Sequence, residues 1–184
     1  MRGDGTLSRR GGRRRAAGFT LIELLTTLTV LGLLLAVAVP SFNNAILGNK
    51  LSGFSNSFLA SAQLARSEAI KRNAAMTMCR SADGTNCASS GGWQQGWIIF
   101  NDKDGNGAVG SDETRVHYQQ ALGSDFSFTG DAYTVVFQST GLSATSGTLT
   151  LCRKLPSPGS QERVLSLSAT GRVSSAITRT GTCA

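Results

Sequence analysis

Asp102, Asp104, Asn106 and Glu113 stand at positions 1, 3, 5 and 12 of a run with Gly107 at position 6. Oxygen ligands at that spacing, with the backbone carbonyl of Ala108 at position 7, are those of an EF-hand loop, whose carboxylate and carbonyl oxygens suit calcium. The flanking segments read as strands rather than helices, however, and polar glycine-rich hairpin tips share this composition without holding an ion. Both readings stay open on the residues alone. The sole histidine, His117, lies between Val116 and Tyr118 in a strand-like run. No serine, histidine and acid group into a nucleophilic set. A structural or surface role follows for His117, and the chain is not expected to be an enzyme.

Cys79, Cys87, Cys152 and Cys183 all follow a long apolar block near the N-terminus. An even number of cysteines in a segment beyond such a block favours disulfides in an oxidising compartment. Four cysteines allow three pairings. The expected one joins Cys79 to Cys87, closing a short loop, and Cys152 to Cys183, tying the C-terminus to a strand. A four-cysteine zinc site is the rival, but no Cys-x-x-Cys pair occurs and the spacings of 8, 65 and 31 do not suit one.

The formal net charge of +7 would suit a nucleic-acid partner if it were spread over the chain. Six arginines, Arg2, Arg9, Arg10, Arg13, Arg14 and Arg15, instead precede the apolar block, leaving 12 Lys/Arg against 10 Asp/Glu beyond residue 18. Arginines in that place hold their end of a membrane segment on the cytoplasmic side. From Phe19 to Val39 the only ionisable side chain is Glu23, and at 1.5 Å per residue this block reaches roughly 30 Å as a helix, enough to cross a bilayer. An ordinary cleaved signal peptide has a shorter apolar core and a small-residue cleavage site after it. Neither description fits here.

Glu23 would be costly in hydrocarbon without a partner. No Lys, Arg or His lies between Arg15 and Lys50, so a partner must come from the leader or from another molecule. Removal of the leader before Phe19 would create an α-amino group that a neighbouring helix, shifted along its axis, could bring to this carboxylate. Snorkelling of Glu23 to the cytoplasmic surface is the alternative, and physics alone leaves the two even.

Gly18-Phe19-Thr20-Leu21-Ile22-Glu23, followed by the apolar run and Pro40, resembles the class III signal of type IV pilins and type II secretion pseudopilins. The resemblance implies cleavage by a prepilin peptidase after Gly18 and N-methylation of Phe19. It places the assembly glutamate of those proteins at Glu23 and their helix-kinking proline at Pro40.

Beyond Pro40, the positions Leu47, Leu51, Phe54, Phe58, Ala62, Ala65 and Ala69 lay one apolar stripe along a helix. The stripe predicts helix to about Asn73, weakened near Gly48 and Gly53 and bent or loosened at Pro40. Short strands separated by Gly, Ser, Asn and Asp are expected over 75–79, 97–101, 115–119, 134–137, 148–152, 164–167 and 172–177, with a turn at Pro156, Pro158 and Gly159. The fold class is therefore α+β, a long N-terminal helix packed against an antiparallel head. Residues 1–18 form the leader, 19–39 the transmembrane helix, 40–73 its amphipathic continuation and 74–184 the exported head.

Leu64-Ala65-Arg66-Ser67-Glu68-Ala69-Ile70-Lys71-Arg72-Asn73, Gly96-Trp97-Ile98-Ile99-Phe100-Asn101-Asp102 and Gly171-Arg172-Val173 resemble the GspH/FimT group of minor pilins and pseudopilins. That resemblance implies two sheets in the head and a place in a filament at or near its tip. It also implies an inner-membrane, single-pass precursor with a periplasmic head, later moved into a pilus or pseudopilus. The implied partners are other major and minor pilins, the prepilin peptidase, the assembly platform and the lipid bilayer. Some FimT-like members bind DNA during natural transformation through a Gly-Arg-x-Arg pattern, which falls here on Gly171, Arg172, Val173 and Ser174 and lacks its second arginine. Arg172, Arg179 and Arg163, with Arg153 and Lys154, are the side chains that could contact phosphates. Type IV pilus assembly is thus the leading expectation, with DNA uptake and type II secretion as alternatives.

Overall fold

The computed structural model describes residues 18–154 and 161–178. It divides into two compact units, Met1–Pro40 and Ser41–Ala184. A single helix, α1 (Leu21–Arg72), is shared by both and contains Pro40.

In the first unit the helix begins just after Thr20. The Glu23 backbone N–H donates to Thr20 Oγ1 at 3.2 Å, and the Leu24 N–H donates to the Thr20 carbonyl at 3.1 Å. Thr20 is thus the N-cap, with an acid three residues on in the position that favours the positive end of the helix dipole. Leucines and valines along this segment are exposed, as is Phe19.

In the second unit α1 buries Leu47, Leu51, Phe58, Ala62, Ala65 and Ala69, with Ser55 and Ser61 between them. Phe54 is partly buried and meets Phe126 edge to face. The helix ends at Arg72, one residue short of the expected Asn73. Asn73 takes a left-handed φ of 51°, the Ala74 N–H donates to Ala69 O and the Asn73 N–H to Ile70 O. This is a Schellman stop, which asparagine tolerates better than most non-glycine residues.

Eight strands follow: β1 (Met76–Arg80), β2 (Trp97–Asn101), β3 (Arg115–Gln119), β4 (Phe126–Gly130), β5 (Thr134–Phe137), β6 (Gly147–Arg153), β7 (Glu162–Leu167) and β8 (Val173–Thr178). They form two four-stranded sheets, ordered β3-β2-β1-β5 and β4-β6-β7-β8, with every pairing antiparallel. Seven of the strands coincide with expected runs to within about two residues. β4 was not expected, because Ser127 and Gly130 are poor strand formers. Pairing with β6 and burial of Phe126 and Phe128 override that preference.

Phe58 is the point where helix and both sheets meet. Its ring lies 5.1 Å from Trp93, 5.4 Å from Trp97 on β2 and 5.2 Å from Phe128 on β4, each near edge-to-face. The indole N–H groups are satisfied as well, Trp97 donating to Ser61 Oγ at 2.9 Å and Trp93 to the Ala132 carbonyl at 2.8 Å. Aromatic clusters of this geometry contribute beyond their buried area.

β1 is buried along its whole length. Met76 and Met78 join the main core, whereas Cys79, Ile98 and Phe100 form a second, smaller cluster against which Cys87 and Val109 pack. Two loops, the one closed by Cys87 and the one carrying Val109, therefore cover this second cluster.

Candidate functional site

The segment before Ser41 presents chemistry of one kind. Its apolar side chains are exposed, with Phe19 at 83% and Leu33 at 73%, and the helix is long and apolar enough to cross a membrane. Its threonines do not spoil that surface. The hydroxyls of Thr26, Thr27 and Thr29 donate to the carbonyls of Glu23, Leu24 and Thr26 at 3.0, 2.8 and 2.8 Å. Back-bonding of this sort leaves no free hydroxyl donor facing hydrocarbon. Glu23 is exposed in the first turn. Gly18 and Phe19 lie just ahead of the helix.

In the head, Cys79 and Cys87 are joined, with Cα atoms 5.6 Å apart. The loop they close is further held by Arg80, whose Nε donates to Ala88 O at 3.2 Å, Nη2 to Ser89 O at 3.0 Å and Nη1 to Gly91 O. The same guanidinium lies 4.1 Å from the centre of the Tyr133 ring. Asp83 organises the tip: backbone N–H groups of Asn86 and Thr85 donate to its Oδ1 at 2.9 and 2.8 Å, which holds its carboxyl well below the usual carboxylate range. Cys152 is also disulfide-bonded, and its expected partner Cys183 lies outside the described residues.

Three of the four side chains with calcium-loop spacing come together in the segment between β2 and β3. One carboxylate oxygen each from Asp102, Asp104 and Glu113 lies within 4.8 Å of the other two. Asn106 adjoins them, its Nδ2 donating to Asp104 Oδ2 at 2.7 Å. The flanks are strands, so the loop is not the helix–loop–helix whose spacing it shares.

Among the described residues, the arginines expected to reach phosphates differ in how open they are. Arg163 is a correction: it is only 7% exposed, and its Nη2 donates to Gly48 O at 3.3 Å and Ser52 Oγ at 3.0 Å on α1. It fastens β7 to the helix and is not open to a polyanion. Desolvation lowers its pKa, though a guanidinium keeps its proton in this range. Arg172 is exposed, and Arg179 lies outside the described residues. His117 is half-buried on β3, lining an open groove with Ser57, Ser61, Leu64 and Gln119.

Sequence reasoning missed the roles of Thr77 and Arg66. The Thr77 hydroxyl donates to Asp102 Oδ2 at 2.7 Å, and Arg66 Nε donates to Gly141 O at 2.9 Å. Both join segments far apart in the chain, a relation no local pattern announces.

A family model described as type II transport protein GspH matches residues 55–171, and one described as the prokaryotic N-terminal methylation motif matches residues 13–39. Among solved structures, the type IV minor pilin FimU of Pseudomonas aeruginosa is similar, with a TM-score of 0.53 and 20% identity over 72% of this chain and 96% of that one. The minor pseudopilin EpsH from the type 2 secretion system of Vibrio cholerae has a TM-score of 0.49 and 14% identity over 70% of this chain and 97% of its own. No curated protein sequence matches. The FimU likeness bears on the fold, a long N-terminal helix with two antiparallel sheets.

Proposed function

Because the chain belongs to the GspH family and is a minor pilin or pseudopilin of the GspH/FimU type, we propose that it is made as a membrane-anchored precursor and assembled into a filament. Prepilin peptidase cuts after Gly18 and the new N-terminus at Phe19 is methylated. The helix then leaves the inner membrane for the filament, passing through the assembly platform with other major and minor pilins. The head faces the periplasm until that step. Its role is structural rather than catalytic.

The observation that carries this reading is an exposed, predominantly apolar helix surface with a single acid, Glu23, in its first turn. Packing against sister helices would bury that surface. Glu23 would then need a cation, and the Phe19 amine of an adjacent subunit is the one its chemistry and position supply. Breaking a buried pair by removing one partner costs about 3–5 kcal/mol. Glu23→Ala is therefore expected to leave cleavage and methylation intact while lowering recovery in sheared filaments by roughly a hundredfold or more. Wild-type recovery of the mutant would refute the registering role.

The likeness to FimU, a type IV minor pilin, favours a type IV pilus, and a place for this subunit at or near the tip is part of the proposal. The family description supports a type II secretion pseudopilus as the second reading. Identifying which major pilin co-purifies with the cross-linked full chain separates the two. DNA uptake draws less support, since Arg163 is occupied on α1 and the Gly-Arg-x-Arg pattern lacks its second arginine, which leaves Arg172 and Lys154 as the exposed cations among the described candidates.

A further inference from the structure

Asp102 is the informative member of the acidic group between β2 and β3. It is 2% exposed, and its Oδ2 already accepts from the Thr77 hydroxyl at 2.7 Å and the Gly107 N–H at 3.1 Å. Its Oδ1 is buried and has no hydrogen-bond partner among the described residues. Burying a carboxylate oxygen with nothing to compensate it is costly, and such atoms are rare in native proteins. Asp104 and Glu113 bring two more anionic oxygens within 4.8 Å of the Asp102 carboxylate. No Lys, Arg or His among the described residues forms an ion pair with any of the three. Lys103, the basic residue of the loop, is engaged elsewhere: its Nζ donates to Asp112 O at 2.6 Å and lies 3.3 Å from Asp112 Oδ2.

The remaining contacts hold the acids in place without exhausting them. Glu113 Oε1 accepts from the Lys103 N–H at 2.7 Å and Oε2 from the Gly110 N–H at 2.9 Å. Asp104 accepts from the backbone and the side-chain amide of Asn106 at 3.1 and 2.7 Å, and Asn106 Oδ1 accepts from the Ala108 N–H at 2.7 Å. Each of these oxygens keeps a second lone pair.

We propose that this loop binds calcium through Asp102, Asp104 and Glu113, with Asn106 Oδ1 as a fourth ligand. An all-oxygen donor set excludes the softer transition metals as preferred ions. Three carboxylates from one loop suit calcium better than magnesium, which keeps several waters and uses one or two carboxylates. The ion would compensate Asp102 Oδ1, and it would fix the loop whose Val109 covers Cys79, Ile98 and Phe100. The site thus couples a divalent cation to the outer cover of the first sheet.

The test uses the full chain in detergent micelles, stripped with a chelator and then titrated calorimetrically with calcium chloride or magnesium chloride, with thermal melting in parallel. Expected are saturable calcium binding with Kd on the order of 10⁻⁴–10⁻³ M, the range of extracellular modules, and a higher melting temperature. Magnesium should bind at least about tenfold more weakly. Asp104→Asn combined with Glu113→Gln should abolish both effects while melting like wild type in chelator. Asp102→Asn should abolish binding too, and since it also disturbs the Thr77 contact, the double variant is the deciding one. Folded wild-type protein giving neither heat nor a melting shift at roughly 10 mM calcium, well above that range, would overturn the assignment. So would full binding by the double variant or an equal response to magnesium.

Discussion

Gly171 has a φ of +75°, and a Cβ there would overlap the Gly141 carbonyl oxygen, the same atom that accepts from Arg66 Nε. Three segments distant in the chain thus meet at one carbonyl. Gly171→Ala would impose both a left-handed strain and a steric clash, so a loss of about 1–3 kcal/mol is expected, read as a lower denaturant midpoint. Gly96 is similar, at φ +104° with the Gln119 carbonyl oxygen against it. These contacts give the Gly96-Trp97 and Gly171-Arg172 patterns a physical content that was invisible in the residues themselves. Arg163 and Arg172 make the opposite point: alike as residue types, they end as a buried tie to α1 and an exposed side chain.

At the scale of elements, α1 from Ser41 onward was readable because burial along one helix follows sequence spacing, and all but Phe54 of the predicted stripe is fully buried. Phe58 carries the most weight in that stripe, since it touches Trp93, Trp97 and Phe128 together. Phe58→Ala is expected to cost about 3–5 kcal/mol, with the head losing its near-ultraviolet tryptophan signal at lower denaturant than wild type. β4 escaped notice because its strand character comes from β6 and from the core rather than from its own composition. The two covering loops, by contrast, were marked by Cys79, Cys87 and the Asp102–Glu113 spacing, though not the cluster of Ile98 and Phe100 beneath them.

For the whole molecule, charge is divided by position. Beyond residue 18 there are 12 Lys/Arg and 10 Asp/Glu, whereas six arginines precede the apolar helix. If those arginines set the orientation, replacing Arg13, Arg14 and Arg15 with Ser should slow or invert insertion. Protease added to spheroplasts would then digest a smaller share of heads than in wild type. An unchanged share would mean that the remaining leader arginines suffice or that orientation is set elsewhere, and replacing all six separates these.

The sequence by itself determined the long apolar helix and the methylation motif that contains its start, because an acid and a proline on one helix are related by spacing along the chain, and spacing is what a sequence records. It determined most of the strands of the head for the same reason, through short runs separated by Gly, Ser, Asn and Asp. Only the tertiary structure decided that β4 is a strand, that Arg163 is occupied, and that Asp102 is buried with one oxygen lacking a partner among the described residues. Each of those facts depends on what a distant segment places beside the residue, and desolvation and steric exclusion act across space regardless of order in the chain.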